Sequence, residues 1–174
     1  MTKRISREEC EQLYKIHETP AHVIGHCHAV AHVALEIGRK LNEQGYNYDL
    51  ALIEGAGLAH DVARVQEEHW HVGAGILRDL GYYDEADIVD VHMHRHTYDF
   101  DTLSEMDLVC IGDRLVIENQ YAGLDKRFEY IINKAKVHYP DKIWKIKENR
   151  EKLRALLGQI EETMGQTIDS LFLE

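Results

Sequence analysis

Between Ala21 and Gln44 apolar residues recur three and four apart, at Ile24, Cys27, Ala31, Ala34, Gly38 and Leu41, and Val23, Val30, Val33 and Ile37 broaden the stripe. Only the 3.6-residue period of an α-helix gathers such a set onto one side, so this segment reads as one long helix with a wide buried face, stopped by Gly45. The rest of the chain has to supply the surfaces that cover it.

Those surfaces also read as helices. Ser6-Arg7-Glu8-Glu9 has capping-box spacing and starts a first helix, a packing element or lid, that ends before Pro20. Leu50 to Ala59 is nearly all apolar behind Asp49 as N-cap, a buried helix, with a short strand over Leu50 to Ile53 as the competing reading. Gly55 and Gly57 each weaken a helix by about 1 kcal/mol against alanine, which points to close approach by a neighbour. After the polar loop Gln66 to Glu68 comes a helix from His69 to Leu80, closed by Gly81. The next, Glu85 to Arg95, sets Ala86, Ile88, Val89 and Met93 on one face and brings His92 and His96 into i,i+4 register. Thr97 to Leu103 reads as a polar loop, and Ser104 with Asp107 caps the helix that carries Asp113. Two helices follow, Asp125 to His138 and Asp141 to Met164. In the last, Ile143, Ile146, Leu153, Leu156, Leu157, Ile160 and Met164 serve the core or the contact of a homodimer. The expectation is an all-α bundle of seven or eight helices forming one domain over residues 1–174.

Composition removes several classes of function. The 31 acidic residues against 20 basic ones give a net charge of -11, which repels duplex nucleic acid and anionic lipid. No run approaches a membrane span, and the basic start at Met1 to Ser6 meets charged residues before any signal-type apolar stretch, so a cytoplasmic protein is expected. Cys10, Cys27 and Cys110 lack CxxC spacing and read as core thiols. From Lys134 to Arg154 eight basic residues face three acidic ones, a local +5 that serves as a solvated face or as a rim attracting substrate.

The chemistry sits where the apolar run through Leu58 and Ala59 ends in His60-Asp61. A carboxylate carried into the interior needs cations, N–H donors or a metal ion to offset its desolvation. His26 lies at the edge of the long helix and Asp113 in another apolar helix. Two imidazoles and two carboxylates from three helices form part of an open octahedral site, whereas the alternative is a buried network of paired side chains. In that order, His26, the doublet His60-Asp61 and then Asp113, each on a helix, resemble the metal-binding signature of the HD-domain superfamily of metal-dependent phosphohydrolases, over about Val23 to Leu115.

The resemblance implies an all-helical HD-type fold holding one or two divalent ions (manganese, iron, cobalt, nickel, magnesium or zinc). It implies hydrolysis of a phosphoester or phosphoanhydride in a small phosphorylated substrate such as a nucleotide. Asp61 is then both ligand and catalytic residue, orienting the activated water. His69, four residues before Gly73-Ala74, and His92 stand where many HD-domain proteins complete a second metal site or bind phosphate, with His94 and His96 as rivals of His92. Arg64 replaces a lysine common three residues past the doublet and takes a catalytic, phosphate-holding role or pairs with Glu67 or Glu68. Arg95 and Arg114 are further phosphate candidates, and Glu67 or Glu68 a general acid. Some HD-domain proteins with this ligand order are instead di-iron oxygenases, and a non-catalytic metal-binding regulatory domain is the remaining alternative.

Overall fold

The computed structural model describes residues 2–95 and 98–173. Helix α1 (Arg7–Ile16) starts with the expected box: Glu9 N–H donates to Ser6 Oγ at 3.2 Å, and Ser6 N–H to Glu9 Oε2 at 2.8 Å. Helix α2 (Ala21–Glu43) begins at Pro20 and is left behind at Gly45, whose φ of +97° only glycine adopts freely. Helix α3 (Leu50–Ala59) follows with Asp49 Oδ1 accepting from Leu52 N–H at 3.0 Å, so the strand alternative for this segment is wrong. Then come α4 (His69–Asp79), α5 (Tyr83–Val91) and α6 (Glu105–Asp113), the last held at its start by Ser104 N–H and Oγ–H donating to Asp107 Oδ2 at 2.9 and 2.8 Å. A two-residue antiparallel hairpin, β1 (Val116–Ile117) and β2 (Gln120–Tyr121), leads into α7 (Leu124–His138), α8 (Ile143–Met164) and the single turn α9 (Asp169–Phe172).

The chain is all-α, with nine helices among the described residues where seven or eight were expected. Neither the hairpin nor α9 has a sequence signal long enough to read. Helix α8 starts at Ile143 because Pro140–Lys142 form a separate 3₁₀ turn. The largest departure is α5, which starts at Tyr83 and ends at Val91 rather than running to Arg95. The His92 ring takes the Val89 carbonyl that a helical Met93 N–H would use, and Met93 is exposed rather than on the buried face. The i,i+4 pairing of His92 with His96 is not carried by this helix, and His96 lies outside the described residues.

Two apolar clusters share α2. Val30, Val33, Ile37 and Leu41 pack with Leu108 of α6 and with Leu153, Leu156 and Ile160 of α8, which places the α8 stripe in the core from Leu153 onward, while Ile143 and Ile146 stay half-buried. Cys27 and Ala31 pack with Leu13 and Tyr14 of α1, Leu58 of α3, Leu77 of α4 and Val89 of α5, so α1 is a packing element. Helices α3 and α6 both come close to α2 through glycine: a Cβ on Gly57 would stand 2.7 Å from Ala31 Cα, and one on Gly112 2.8 Å from the Val30 carbonyl oxygen. The end of each of these helices is thereby pressed onto the first half of α2, the half that carries His26. All three cysteines are buried and unpaired, and no helix among the described residues is long and apolar enough to cross a membrane.

Candidate metal centre

Helix α3 ends where the His60 ring folds back and its Nδ1 meets the Gly57 carbonyl at 2.7 Å. The end of α5 repeats the device, with His92 Nδ1 on the Val89 carbonyl at 2.6 Å. His26 in α2 reaches outward instead, its Nδ1 2.8 Å from the carbonyl of Glu118, a residue held at φ +54° between β1 and β2. A carbonyl oxygen can only accept, so all three rings carry a proton on Nδ1, and in its neutral form each turns an Nε2 lone pair inward. This is the arrangement by which backbone groups orient histidine ligands.

The inward nitrogens surround two carboxylates. His26 Nε2 is 3.0 Å from Asp113 Oδ1, and His60 Nε2 is 3.7 Å from Asp61 Oδ2 and 3.9 Å from Asp113 Oδ1. On the other side of the same aspartate, Asp61 Oδ1 lies 3.1 Å from His69 Nε2 and 3.5 Å from His92 Nε2. Two triads therefore converge to within 4.8 Å, His26 with His60 and Asp61, and Asp61 with His69 and His92. Asp61 belongs to both.

Polar satisfaction tests whether this set fits an ion. His60 Nε2 and Asp61 Oδ1 are buried and without a hydrogen-bond partner among the described residues. Such atoms are rare in folded proteins and destabilising unless something else meets them. Burial holds the His60 pKa below its usual range, which keeps it a neutral ligand. Burial also works against charge on both carboxylates, yet His60 and His92 hold Asp61, and His26 with His60 hold Asp113, well below the ordinary carboxylate range. His26 and His92 move the other way: burial disfavours their charge, but Asp113 and Asp61 respectively raise them above the usual histidine value. Imidazole nitrogens and anionic carboxylate oxygens, with two buried atoms among them left without a hydrogen bond, fit a divalent ion, which would displace the protons His26 and His92 tend to hold.

Arg64 stands at the edge of this centre, 47% exposed, with Nη1 3.1 Å from His69 Nε2 and Nε 4.0 Å from Asp61 Oδ2. It turns toward the centre, and Glu67 and Glu68 are exposed. A guanidinium only donates, so Arg64 holds the His69 lone pair that an ion would compete for. The centre opens into a cavity of about 1050 Å³ lined by His26, Asp61, Arg64, His92, Asp113 and Arg114 on one side and by residues of α7 on the other. Glu67 and Glu68 are not among its lining residues, which leaves them poorly placed as general acid. Arg95 is turned away and bound to Asp107 at 2.6 Å, and His94 packs edge-on against Trp70. Of the basic run, Lys134 lines the cavity, while Arg150, Lys152 and Arg154 pair with Glu151, Glu148 and Asp125 as a solvated face does.

Sequence reasoning did not single out Glu118, Arg127 or Tyr130. Glu118 acts through its backbone and has no sequence signal. Arg127, Tyr130 and Lys134 share one helix face by their i, i+3, i+7 spacing, which is a readable pattern.

An all-helical bundle that brings four histidines and two aspartates to one opening has the donor set of a metal-binding domain. The family model of the HD domain matches residues 23–127, more than half of the sequence, and the chain belongs to that family, within the metal-dependent phosphohydrolase superfamily. An uncharacterized protein of Methanocaldococcus jannaschii is 37% identical over 70 residues, covering 38% of this chain and 41% of that protein. The match spans less than half of that relative's length. No solved structure is significantly similar.

Proposed function

We propose that this chain hydrolyses a phosphoester or phosphoanhydride in a small phosphorylated substrate of the nucleotide class. What carries the reading is the sharing of Asp61 between two histidine pairs at the mouth of a cavity lined by arginines. His26, His60, Asp61 and Asp113 would hold a first divalent ion, and Asp61 with His69 and His92 a second. When bound, such an ion supplies a Lewis acid that lowers the pKa of water and polarises a phosphoryl oxygen. The backbone carbonyls of Gly57, Val89 and Glu118 keep the imidazoles aimed before any ligand arrives. Arg114 and Arg64 line the opening, where planar guanidinium groups meet phosphate oxygens in two-pronged fashion. Arg64 would release His69 Nε2 as it turns to the phosphate. Asp61, at the junction, would orient water toward the phosphorus. Buried unpaired thiols support a reducing, cytoplasmic setting.

The deciding experiment is metal analysis of the purified chain, then phosphate release from a panel of nucleotides and simple phosphoesters with manganese, iron, cobalt, nickel, magnesium or zinc added. Release that depends on metal and is lost in Asp61→Ala supports the reading, and no release from any combination rejects it. The two triads on one aspartate also favour a second reading, a di-iron oxygenase, because that chemistry needs two adjacent ions. Substrate turnover that consumes oxygen and releases no phosphate would select it.

A further inference from the structure

Arg127, in the first turn of α7, is the exception among the ten arginines of the sequence. Each of the other nine places its guanidinium on a partner, as Arg78 does on Asp87 and Asp90 and Arg154 on Asp125. Among the described residues the Arg127 side chain makes no hydrogen bond or ion pair, and its Nε is buried without a partner. In a chain with 31 acidic and 20 basic residues a carboxylate is easily supplied, so an arginine left unpaired inside a cavity calls for a reason. Its neighbour on the same helix face, Tyr130, has Arg127 Cζ 5.7 Å and Lys134 Nζ 4.4 Å from its ring centroid. The tyrosine ring thus lies against two cations, which it steadies through its ring electrons. All three residues line the cavity that reaches the histidine and aspartate centre. Helix α7 packs on α8 and β1, whereas α2, α3, α5 and α6 pack on one another. The cavity lies between these groups, and its volume of about 1050 Å³ is far more than one phosphate fills.

We propose that Arg127 and Lys134, held around Tyr130, form a second anion subsite, and that the substrate carries two phosphates, one at the metal centre and one at α7. The first half of this assignment rests on the phosphohydrolase reading, whereas the α7 subsite does not. The fork of Arg127 with the mobile ammonium of Lys134 suits a doubly charged oxyanion better than a single carboxylate.

Calorimetric titration into the full chain loaded with manganese tests it, using alkanediol bisphosphates of increasing length, with pyrophosphate as the shortest, and the matching alkyl monophosphates. The wild type is expected to bind its best bisphosphate about tenfold or more tighter than the monophosphate of equal length. Arg127→Gln and Lys134→Gln each should cut that ratio several-fold, and the pair should bring it near one. Lys152→Gln makes the same charge change on an exposed lysine of α8 paired with Glu148 and should leave the ratio alone. Circular dichroism checks each variant, and if Arg127→Gln fails to fold, exposed Lys134 still carries the test. A wild-type ratio near one, a ratio that survives both substitutions, or an equal drop in Lys152→Gln overturns the subsite. Phosphate release from the panel of nucleotides and simple phosphoesters, with each metal added, judges the hydrolase reading separately. A bisphosphate preference without release keeps the subsite and removes the hydrolase, and release without the preference does the reverse.

Discussion

Replacing Asp61 by alanine is the sharpest perturbation, because one side chain gives an oxygen to each triad: Oδ2 faces His60, and Oδ1 faces His69 and His92. Losing even an outer-shell partner of a metal ligand typically costs about 10–100-fold in metal affinity, so losing a carboxylate ligand itself is expected to cost more than about 100-fold. At manganese about 100 times the wild-type dissociation constant, binding stabilises the wild-type fold by about 2.7 kcal/mol, which raises the melting temperature of a chain this size by roughly 5–11 °C. A loss of that size leaves Asp61→Ala below half saturation there, with a rise of about 1 °C or less. Helix content should persist, because Asp61 lies beyond the end of α3 and its loss also removes a buried charge that repels Asp113. Thermal melts with and without manganese, together with metal content and far-ultraviolet circular dichroism on the same preparation, decide the matter. An undiminished manganese-dependent rise in Asp61→Ala would refute the two-triad site. Loss of helix in the variant would mean that Asp61 is mainly structural.

Exchanging both His69 and His92 for alanine should leave a folded chain with one metal per molecule and greatly reduced phosphate release. Two metals per chain or full activity would reject their assignment to a second position. Gly57→Ala would drive a Cβ to 2.7 Å from Ala31 Cα, a backbone atom that cannot yield. It should destabilise by about 1–3 kcal/mol in denaturant titration and weaken metal binding by displacing His60, and a stability change within error would mean that α2 and α3 can separate freely. Glu85 is fully buried with Oε2 outside any hydrogen bond among the described residues, and burial raises its pKa above the ordinary glutamate value although Arg4 Nη1 lies 3.7 Å from that oxygen. Below the unfolded pKa both states hold the proton and no penalty exists; as pH rises through the raised folded value the penalty appears in full. Glu85→Gln should therefore melt higher than wild type near neutral pH, by on the order of 1 kcal/mol, with the advantage gone below about pH 4. An advantage that does not depend on pH would show that the carboxylate's charge is not the cause.

How much of the centre was legible in the sequence follows from how each residue reaches it. His60 and His92 end helices, and each anchors its ring on the carbonyl three residues back, so position in the sequence nearly determines position in space. Asp113 is the last residue of α6, so a helix end fixes its place too, without an anchor on the backbone. The error over α5 belongs here too, since apolar period alone extended the helix through Met93, while the ring of His92 stops it. His26 was legible as a helical residue, but its anchor is the Glu118 carbonyl, supplied by a hairpin too short to leave a pattern and set by a left-handed residue that is not glycine. No local rule links positions so far apart. The α7 wall fails differently: Arg127, Tyr130 and Lys134 have helical spacing, but so does any exposed helix face, and in the sequence Lys134 is one member of a charge run. What separates the three from a solvated face is the missing carboxylate partner beside Arg127, and a missing partner exists only once every candidate has been placed. A sequence exposes ligands that must lie at helix ends, whereas the groups that choose among substrates are recognised by what the fold leaves unpaired around them.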